Sequence, residues 1–324
     1  MTFSVLVTDR VSLAGLGVLV EDERFEVVSV GESSTPEFAR ALAASDALIV
    51  RSATRVDQAM LDSAPVLKVI GRAGVGIDNI DVEAATSRGI VVFNAPDANT
   101  VAAAELTMAL MLSLARRVTA ADRSVRDGEW DRARFQGVEL RGKTLGLIGA
   151  GRIGGEVARR CRAFEMTVIV YDPYLTLDRA RTLGVELVDL ERLIATADVI
   201  SLHIPLNEET EGLLDADLLG RVKSQAYLIN ASRGGVIDER ALADALQEGR
   251  LAGAALDVFE NEPLPLDSPL RQAPNLVLTP HLGASTVEAQ VAVALEVAHA
   301  IRSALVNGEV FGAVNATELG AVGT

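Results

Sequence analysis

Few groups in this chain can move a proton near neutral pH: there are three histidines, His203, His281 and His299, and one cysteine, Cys161. His281 stands in TPHLGAS, closing a short apolar run ahead of glycine and small residues that leave room for a ligand, and it is the best-placed general base. His203 also closes an apolar run but has no evident acid partner, and it reads as a pocket wall rather than a base. His299 lies beside the apolar face of a long helical pattern and reads as structural. Two other run-end residues stand out, Arg233 in NASRGGVID and Glu262 in DVFENEP. Arginine offers a planar fork that can hold a 2-oxo acid through two bonds. A carboxylate bonded to the far nitrogen of an imidazole fixes its tautomer and favours its protonated form. Taken singly, Arg233 or Glu262 is better read as a surface salt-bridging residue; together, at strand ends of one sheet, they favour a site.

The element that must position them is announced between Thr144 and Asp172, TLGLIGAGRIGGEVARRCRAFEMTVIVYD. An apolar strand leads into Gly149, Gly151 and Gly154 in a GxGxxG turn, a helical run follows, and a second strand from Thr167 to Tyr171 ends at Asp172. Strand, turn, helix, strand and acid in that order form the dinucleotide-binding fingerprint, far more specific than the glycines alone. Gly149 permits the tight turn, Gly151 lets backbone approach a pyrophosphate, and Gly154 lets the helix pack closely on the strand. The helix amino end favours anions through its free N–H groups and dipole. A carboxylate at Asp172 can accept both ribose hydroxyls and repels a 2′-phosphate, so NAD is expected over NADP.

Ahead of this stretch, Val5 to Thr8, Phe25 to Val30, Ala47 to Val50, Lys68 to Gly71 and Ile90 to Asn94 read as strands separated by helical runs. Such an alternation predicts a parallel sheet covered on both faces. Two of these strands run into polar or glycine-rich loops, Arg51-Ser52 and Arg72 to Gly76, and the carboxyl ends of parallel strands are where open sheets bind ligands. Arg51, Ser52, Arg72, Val75 and Gly76 are therefore expected to bind substrate. The run from Asn99 to Arg117 is apolar on nearly every helical face, which predicts a coat supplied by flanking domains or by a second subunit; it is taken as a hinge and dimer contact. Gly137 to Thr144 matches GxxxxGK[ST], but Lys143-Thr144 opens a strand where a phosphate loop must open a helix, so the match is a coincidence. After Asp172, strands are expected at Val199 to His203, Ala226 to Asn230, Gly253 to Val258 and Leu276 to Thr279, with a helix from Glu239 to Glu248. A final helix from Thr286 to Leu305 is expected to bury Val287, Val291, Ala294, Ala298, Ile301 and Leu305, and NGEVFGAVNAT to return to the first domain.

The net charge of −15 over 324 residues argues against nucleic acid or an anionic membrane as partner. A single cysteine allows no disulfide within the chain, no run reaches membrane-spanning length, and MTFSVLVTDR enters a strand without a basic leader, so a cytoplasmic protein is expected. Cys161 reads as inert helix packing.

The segments GAGRIG, NASRGGVIDE, ALDVFENEPLP and TPHLGAST resemble the signatures of the D-2-hydroxyacid dehydrogenase family over essentially the whole chain to about Asn315. RSAT and GRAGVGIDNID narrow the resemblance to the branch whose substrate is a phosphorylated hydroxy acid. The resemblance implies that Arg233, Glu262 and His281 are catalytic. It also implies that Arg152, Ile153, His203, Ile204, Pro205, Ala231, Ser232, Arg233, Asp257, His281, Gly283 and Ala284 contact NAD. The implied fold is α/β with two doubly wound parallel-sheet domains, a Rossmann NAD-binding domain over residues 99–283 inserted into a flavodoxin-like substrate domain over 1–98 and 284–324. Many members carry a carboxy-terminal regulatory region; either a short form without it or a chain cut before it is expected here. A phosphate is expected to be gripped by Arg51, Arg72 and, from a neighbouring subunit, Arg132 in WDRARF; the plainer alternative pairs such arginines with Asp78 and Asp131. A homodimer is expected, with a tetramer as the alternative, and no metal. Two competing functions are a glyoxylate or hydroxypyruvate reductase and an NAD-sensing scaffold, the second disfavoured by the joint presence of Arg233, Glu262 and His281.

Overall fold

The structure, a computed structural model, describes residues 2–320. It divides into two compact units, Met1–Asn99 with Ala284–Thr324, and Thr100–Gly283. Within the expected segment 284–324, residues 321–324 lie outside those described, as does residue 1.

The first unit holds β1 (Phe3–Val7), β2 (Phe25–Ser29), β3 (Ala47–Val50), β4 (Val69–Arg72) and β5 (Val91–Phe93) in a parallel sheet of order β2-β1-β3-β4-β5. Residues of β3 are buried on both faces, as a covered parallel strand must be. The register sets Val50 opposite Arg72, so Arg51 and Arg72 leave the same edge of the sheet on adjacent strands. The helix Val287–Asn307 covers one face, and it lies so close that a Cβ on Gly71 would come within 2.2 Å of Val297 Cγ1. Its buried residues are Ala289, Val293, Ala294, Val297, Ala298 and Ile301. Ala294, Ala298 and Ile301 of the expected stripe are buried and Leu305 packs against the same core, but Val287 is 79% exposed, and Ala289, Val293 and Val297 widen the inward face. Both Val297 and Ile301 of this face lie over Gly71, where a side chain would leave them no room. By length and composition the same helix is also long and apolar enough to cross a membrane, at 21 residues with a mean hydropathy of 1.3, which corrects the expectation that no run reaches that length. Here its inward face belongs to the sheet's core. The closing segment docks along β5: buried Asn315 accepts the Val92 amide at 2.9 Å and donates to the Ile90 carbonyl at 2.9 Å.

The second unit holds β6 (Thr144–Ile148), β7 (Thr167–Tyr171), β8 (Glu186–Leu187), β9 (Val199–Leu202), β10 (Tyr227–Asn230), β11 (Gly253–Leu256) and β12 (Leu276–Leu278), all parallel, in the order β12-β11-β10-β9-β6-β7-β8. Strand order reverses between β6 and β9, the switch point at which doubly wound sheets bind nucleotides. The edge strand β8, two residues long, is too short to carry a hydrophobic pattern, and no signal in the sequence marks it. The apolar helix is Thr100–Ala115, and the inner part of its coat comes from its own unit: Met108, Met111 and Leu114 pack with Leu147, Ile229, Ala255 and Val157. Its outer side, with Val101 and Ala109, is exposed. Lys143 is followed by β6 and by no helix, so the GxxxxGK loop lacks the geometry of a phosphate loop.

Candidate active site

Strand ends β10, β11 and β12 build the chemical core of the second unit. At the end of β10, buried Asn230 orders the next turn: its Oδ1 accepts the Ser232 amide at 3.0 Å and hydroxyl at 2.8 Å, and its Nδ2 donates to the Arg233 carbonyl at 2.8 Å. The guanidinium of Arg233 donates through Nη1 to the Ser232 carbonyl at 2.7 Å. Gly234 is what brings this turn against the loop after β11, since a Cβ there would lie 1.9 Å from the Phe259 carbonyl oxygen.

Glu262 closes the loop after β11. Its Oε1 accepts the Phe259 amide at 3.1 Å, and its Oε2 lies 2.7 Å from Nδ1 of His281. Burial pulls the Glu262 carboxyl upward, but the hydrogen bond and charge of His281, the Phe259 amide and the charge of Arg233 outweigh it, so it stays ionised below the usual carboxylate range. Arg233, Glu262 and His281 are thereby brought into one electrostatic neighbourhood. With Nδ1 committed to Glu262, Nε2 is the imidazole nitrogen left for a substrate proton.

His281 adopts a left-handed backbone conformation, φ 55°, uncommon for a side chain of its size. Asp257 holds it there. The Asp257 carbonyl accepts the His281 amide at 2.8 Å, Oδ1 accepts from the Leu282 amide at 2.7 Å and the Thr279 hydroxyl at 2.6 Å, and Oδ2 accepts the Gly283 amide at 2.9 Å. Burial pushes the Asp257 carboxyl up, although its three donors and the charge of His281 oppose the shift. Expected as a cofactor contact, Asp257 is 0% exposed and serves in this structure to shape the turn that carries His281.

The three glycines of the turn differ in what surrounds them. Gly149 has φ 89°, and a Cβ there would lie 2.5 Å from the His203 carbonyl oxygen. A Cβ on Gly154 would lie 2.3 Å from the Gly149 carbonyl oxygen, whereas one on Gly151 meets nothing within 4 Å. Asp172 stands at the tip of β7, its Oδ2 accepting the Ala150 amide and its Oδ1 the Tyr174 amide, both at 2.9 Å. Each oxygen keeps a lone pair for a ribose hydroxyl.

The sequence of the second unit from residue 108 to 283 matches the family model described as D-isomer specific 2-hydroxyacid dehydrogenase, NAD binding domain. The chain belongs to that family. It is 48% identical over 297 residues, 92% of its length, to the D-3-phosphoglycerate dehydrogenase of Archaeoglobus fulgidus, and it spans 56% of that relative. The crystal structure of the TT0316 protein from Thermus thermophilus superposes with a TM-score of 0.88 at 38% identity, covering 96% of this chain and all of that one. The NAD-dependent formate dehydrogenase of Staphylococcus aureus, in complex with NAD, gives 0.83 at 29% identity over 95% of this chain and 97% of that one.

As the NAD-binding domain of a D-2-hydroxyacid dehydrogenase, the second unit fits its cofactor: open space over Gly151 admits a pyrophosphate, the helix Arg152–Ala163 begins there, and Asp172 flanks it. NAD supplies the hydride acceptor when bound. Arg152 and Ile153 lie in the first turn of that helix, and His203, Ile204 and Pro205 leave β9 beside the glycines, Ile204 Cγ2 being 2.7 Å from where a Gly149 Cβ would stand. The His203 ring contacts the Ser201 hydroxyl at 2.9 Å, and burial pushes its pKa down to about 4. Burial thus disfavours its protonated form. Ala231 and Ser232 are half-buried in the Arg233 turn; Gly283 and Ala284 follow His281, and the Ala284 carbonyl accepts from Gln290 at 2.6 Å. Cys161 is buried against Met108 and Met111, its thiol pushed up to about 12 by burial. His299 is exposed on its helix.

In the first unit, Arg51 is half-buried after β3, where burial lowers its pKa and the charge of Asp9 opposes. Arg72 ends β4 with its Nη1 lying over Gly74, 1.7 Å from where a Cβ would be. Ser52 is exposed, Val75 and Gly76 are half-buried, and the Val75 carbonyl accepts from Asn94 at 2.6 Å. Arg132 is exposed in the second unit; Asp131, named above as its plainer partner, instead accepts the Ala133 amide at 3.1 Å. Sequence reasoning missed Asn230 and Asp257 as shaping residues. Their signal was a polar side chain at the end of an otherwise apolar strand, which must find partners in the following loop once buried.

Proposed function

We propose that the chain oxidises D-3-phosphoglycerate to 3-phosphohydroxypyruvate with NAD, the opening reaction of L-serine synthesis. The observation that carries the chemistry is the 2.7 Å pairing of His281 Nδ1 with Glu262 Oε2 in electrostatic reach of Arg233. Arg233 holds the substrate carboxylate through its fork and fixes the carbon to be oxidised. His281 Nε2 takes the hydroxyl proton as hydride leaves, and Glu262 steadies the imidazolium so formed. In the reverse direction the same imidazolium returns the proton to the carbonyl oxygen. Asp257 keeps the base in its turn without touching the reacting atoms.

The phosphate preference rests on Arg51 and Arg72, which leave adjacent strands of the first unit at one sheet edge, and on the 48% identity to a phosphoglycerate dehydrogenase. A chain at −15 must collect cations locally to hold a doubly anionic substrate. Ser52, Val75 and Gly76 line the same loops. Arg132 would reach this phosphate from a second subunit, and the exposed Val118 and Val125, each 53% accessible beside Ala109 and Leu112, favour a homodimer through this part of the second unit. The same acidic balance repels nucleic acid and anionic membrane surfaces and suits a cytoplasmic enzyme.

The test is NADH consumption with 3-phosphohydroxypyruvate against hydroxypyruvate, glyoxylate and pyruvate. A kcat/KM for the phosphorylated substrate at least about tenfold above the others is expected, the effect of about 1.4 kcal/mol of phosphate binding. Equal or better turnover of glyoxylate or hydroxypyruvate would replace this reading with a general 2-oxo acid reductase.

A further inference from the structure

The carboxyl edge of the first sheet carries a construction that the chemistry above does not use. In the order β2-β1-β3-β4-β5 the winding reverses between β1 and β3, so the loops leaving these two strands part at the switch point where open sheets bind ligands. One loop begins at Asp9, directly after buried Thr8, and the other runs from Arg51 to Thr54.

Asp9 is itself left-handed, φ 58°, a conformation that aspartate, asparagine and glycine tolerate better than other residues. Its Oδ2 accepts the Arg51 amide at 2.7 Å and the Thr54 amide at 3.3 Å, and its Oδ1 accepts the Thr54 hydroxyl at 2.7 Å. From the other side, Nδ2 of Asn79 donates to the Arg51 carbonyl at 2.7 Å and to the Thr54 carbonyl at 2.6 Å. Both ends of the loop are thus tied through their amides by one side chain and through their carbonyls by another. The Arg51 guanidinium is braced in turn, Nη1 donating to the Arg10 carbonyl at 3.2 Å.

We propose that Asp9 is a positioning residue for the phosphate subsite: with Asn79 it clamps the Arg51–Thr54 loop at the switch point, so that Arg51 is held ready for the anion before substrate arrives. A carboxylate beside an anion site would ordinarily repel the ligand, but here it is occupied by three loop donors and its charge is set against Arg51. Asparagine can keep much of this arrangement, its oxygen accepting the two amides and its NH2 donating to the Thr54 hydroxyl. Glycine keeps the left-handed backbone and removes the clamp.

This inference rests on the reading that Arg51 binds the substrate phosphate, and the experiment separates the two. KM and kcat are measured for 3-phosphohydroxypyruvate and for hydroxypyruvate in Arg51→Ala, Asp9→Gly and Asp9→Asn. Asp9→Gly is expected to raise KM for the phosphorylated substrate about tenfold, the loss of about 1.4 kcal/mol of phosphate binding. Its kcat and its KM for hydroxypyruvate should stay within about twofold of wild type, and Asp9→Asn should recover most of the loss. A phosphate-specific KM defect in Arg51→Ala with none in Asp9→Gly overturns the positioning role alone. No such defect in Arg51→Ala removes the phosphate reading and the inference with it. A loss of kcat shared by both substrates in Asp9→Gly would make Asp9 a general structural residue. Should Asp9→Gly fail to fold, Asn79→Ser, which removes the donors to both carbonyls, must show the same substrate-selective KM defect or the clamp is refuted.

Discussion

Replacing Gly151 and Gly154 by alanine, one at a time, should separate cofactor binding from folding within a single turn. At Gly154 the new Cβ would lie 2.3 Å from the Gly149 carbonyl oxygen and 3.2 Å from its carbon, against 3.4–4 Å for ordinary contact, and a backbone atom cannot swing aside. Overpacking of this kind costs about 1–3 kcal/mol, offset by a gain of up to ~1 kcal/mol in helix propensity. A net loss of about 1–2 kcal/mol corresponds to a fall in Tm of roughly 2–8 °C for a domain of this size. At Gly151 nothing lies within 4 Å, so the folded protein accepts the methyl at the cost of a poorer N-cap, about 1 kcal/mol at most. The methyl does stand where the pyrophosphate must approach, and ~1–3 kcal/mol of overpacking against the ligand weakens NAD binding by roughly 5- to 150-fold. Thermal unfolding without NAD and calorimetric titration with NAD read the two effects independently. Wild-type NAD affinity in Gly151→Ala, or an unchanged Tm in Gly154→Ala, would refute the roles assigned to these glycines.

Three further outcomes can be checked. Glu262→Gln should move the limb of the kcat/KM profile that reports the base to lower pH, because the imidazolium loses the carboxylate that supports it; a profile overlaying wild type would break the proposed pair. The lowered Glu262 pKa also has a sign for stability: its contribution is present above the ordinary carboxylate range, is lost as pH falls through the lowered folded value, and is small at 36% exposure, so acid unfolding of the Gln variant should be slightly less steep. Asp172→Ala should narrow the preference for NAD over NADP, as the ribose acceptor and the repulsion of a 2′-phosphate vanish together, and comparable wild-type efficiency with both cofactors would remove Asp172 as the selector. Heterodimers of His281→Ala and Arg132→Ala subunits should regain one site with normal KM for the phosphorylated substrate if Arg132 acts across a dimer, whereas Arg132→Ala kinetics alone would place it in its own subunit's site.

Much of the fold is written locally, and the site less so. The β6 to β7 stretch was legible because glycine spacing, strand and acid constrain one another within about thirty residues, each for its own steric or electrostatic reason. The face buried by Val287–Asn307 was legible in its centre, at Ala294, Ala298 and Ile301, but not at its first turn or its full width, because an apolar helix leaves such detail to the partner surface. The coat of Thr100–Ala115 was legible only in outline: all-round apolarity says that a helix is covered, never by what, and within the chain its own unit covers the inner face alone. Within the site, Arg233, Glu262 and His281 could be nominated by type and strand-end position, but the bond from Glu262 to Nδ1 and the left-handed turn of His281 depend on Gly234 and Asp257, whose roles arise from packing. Asp9 is of the same kind. It lies 42 positions from the Arg51 amide that it holds, beyond any local pattern.

The central claim is that His281 exchanges the substrate proton and contributes little to holding the dinucleotide. Single-turnover hydride transfer in His281→Ala, followed by NADH absorbance at saturating NADH and 3-phosphohydroxypyruvate, tests it together with the NADH dissociation constant of the same protein. The account predicts a rate lower by about a hundredfold or more with the dissociation constant within about threefold of wild type. Hydride transfer at near wild-type rate, or a rate loss matched by an equal loss of NADH affinity, would contradict it.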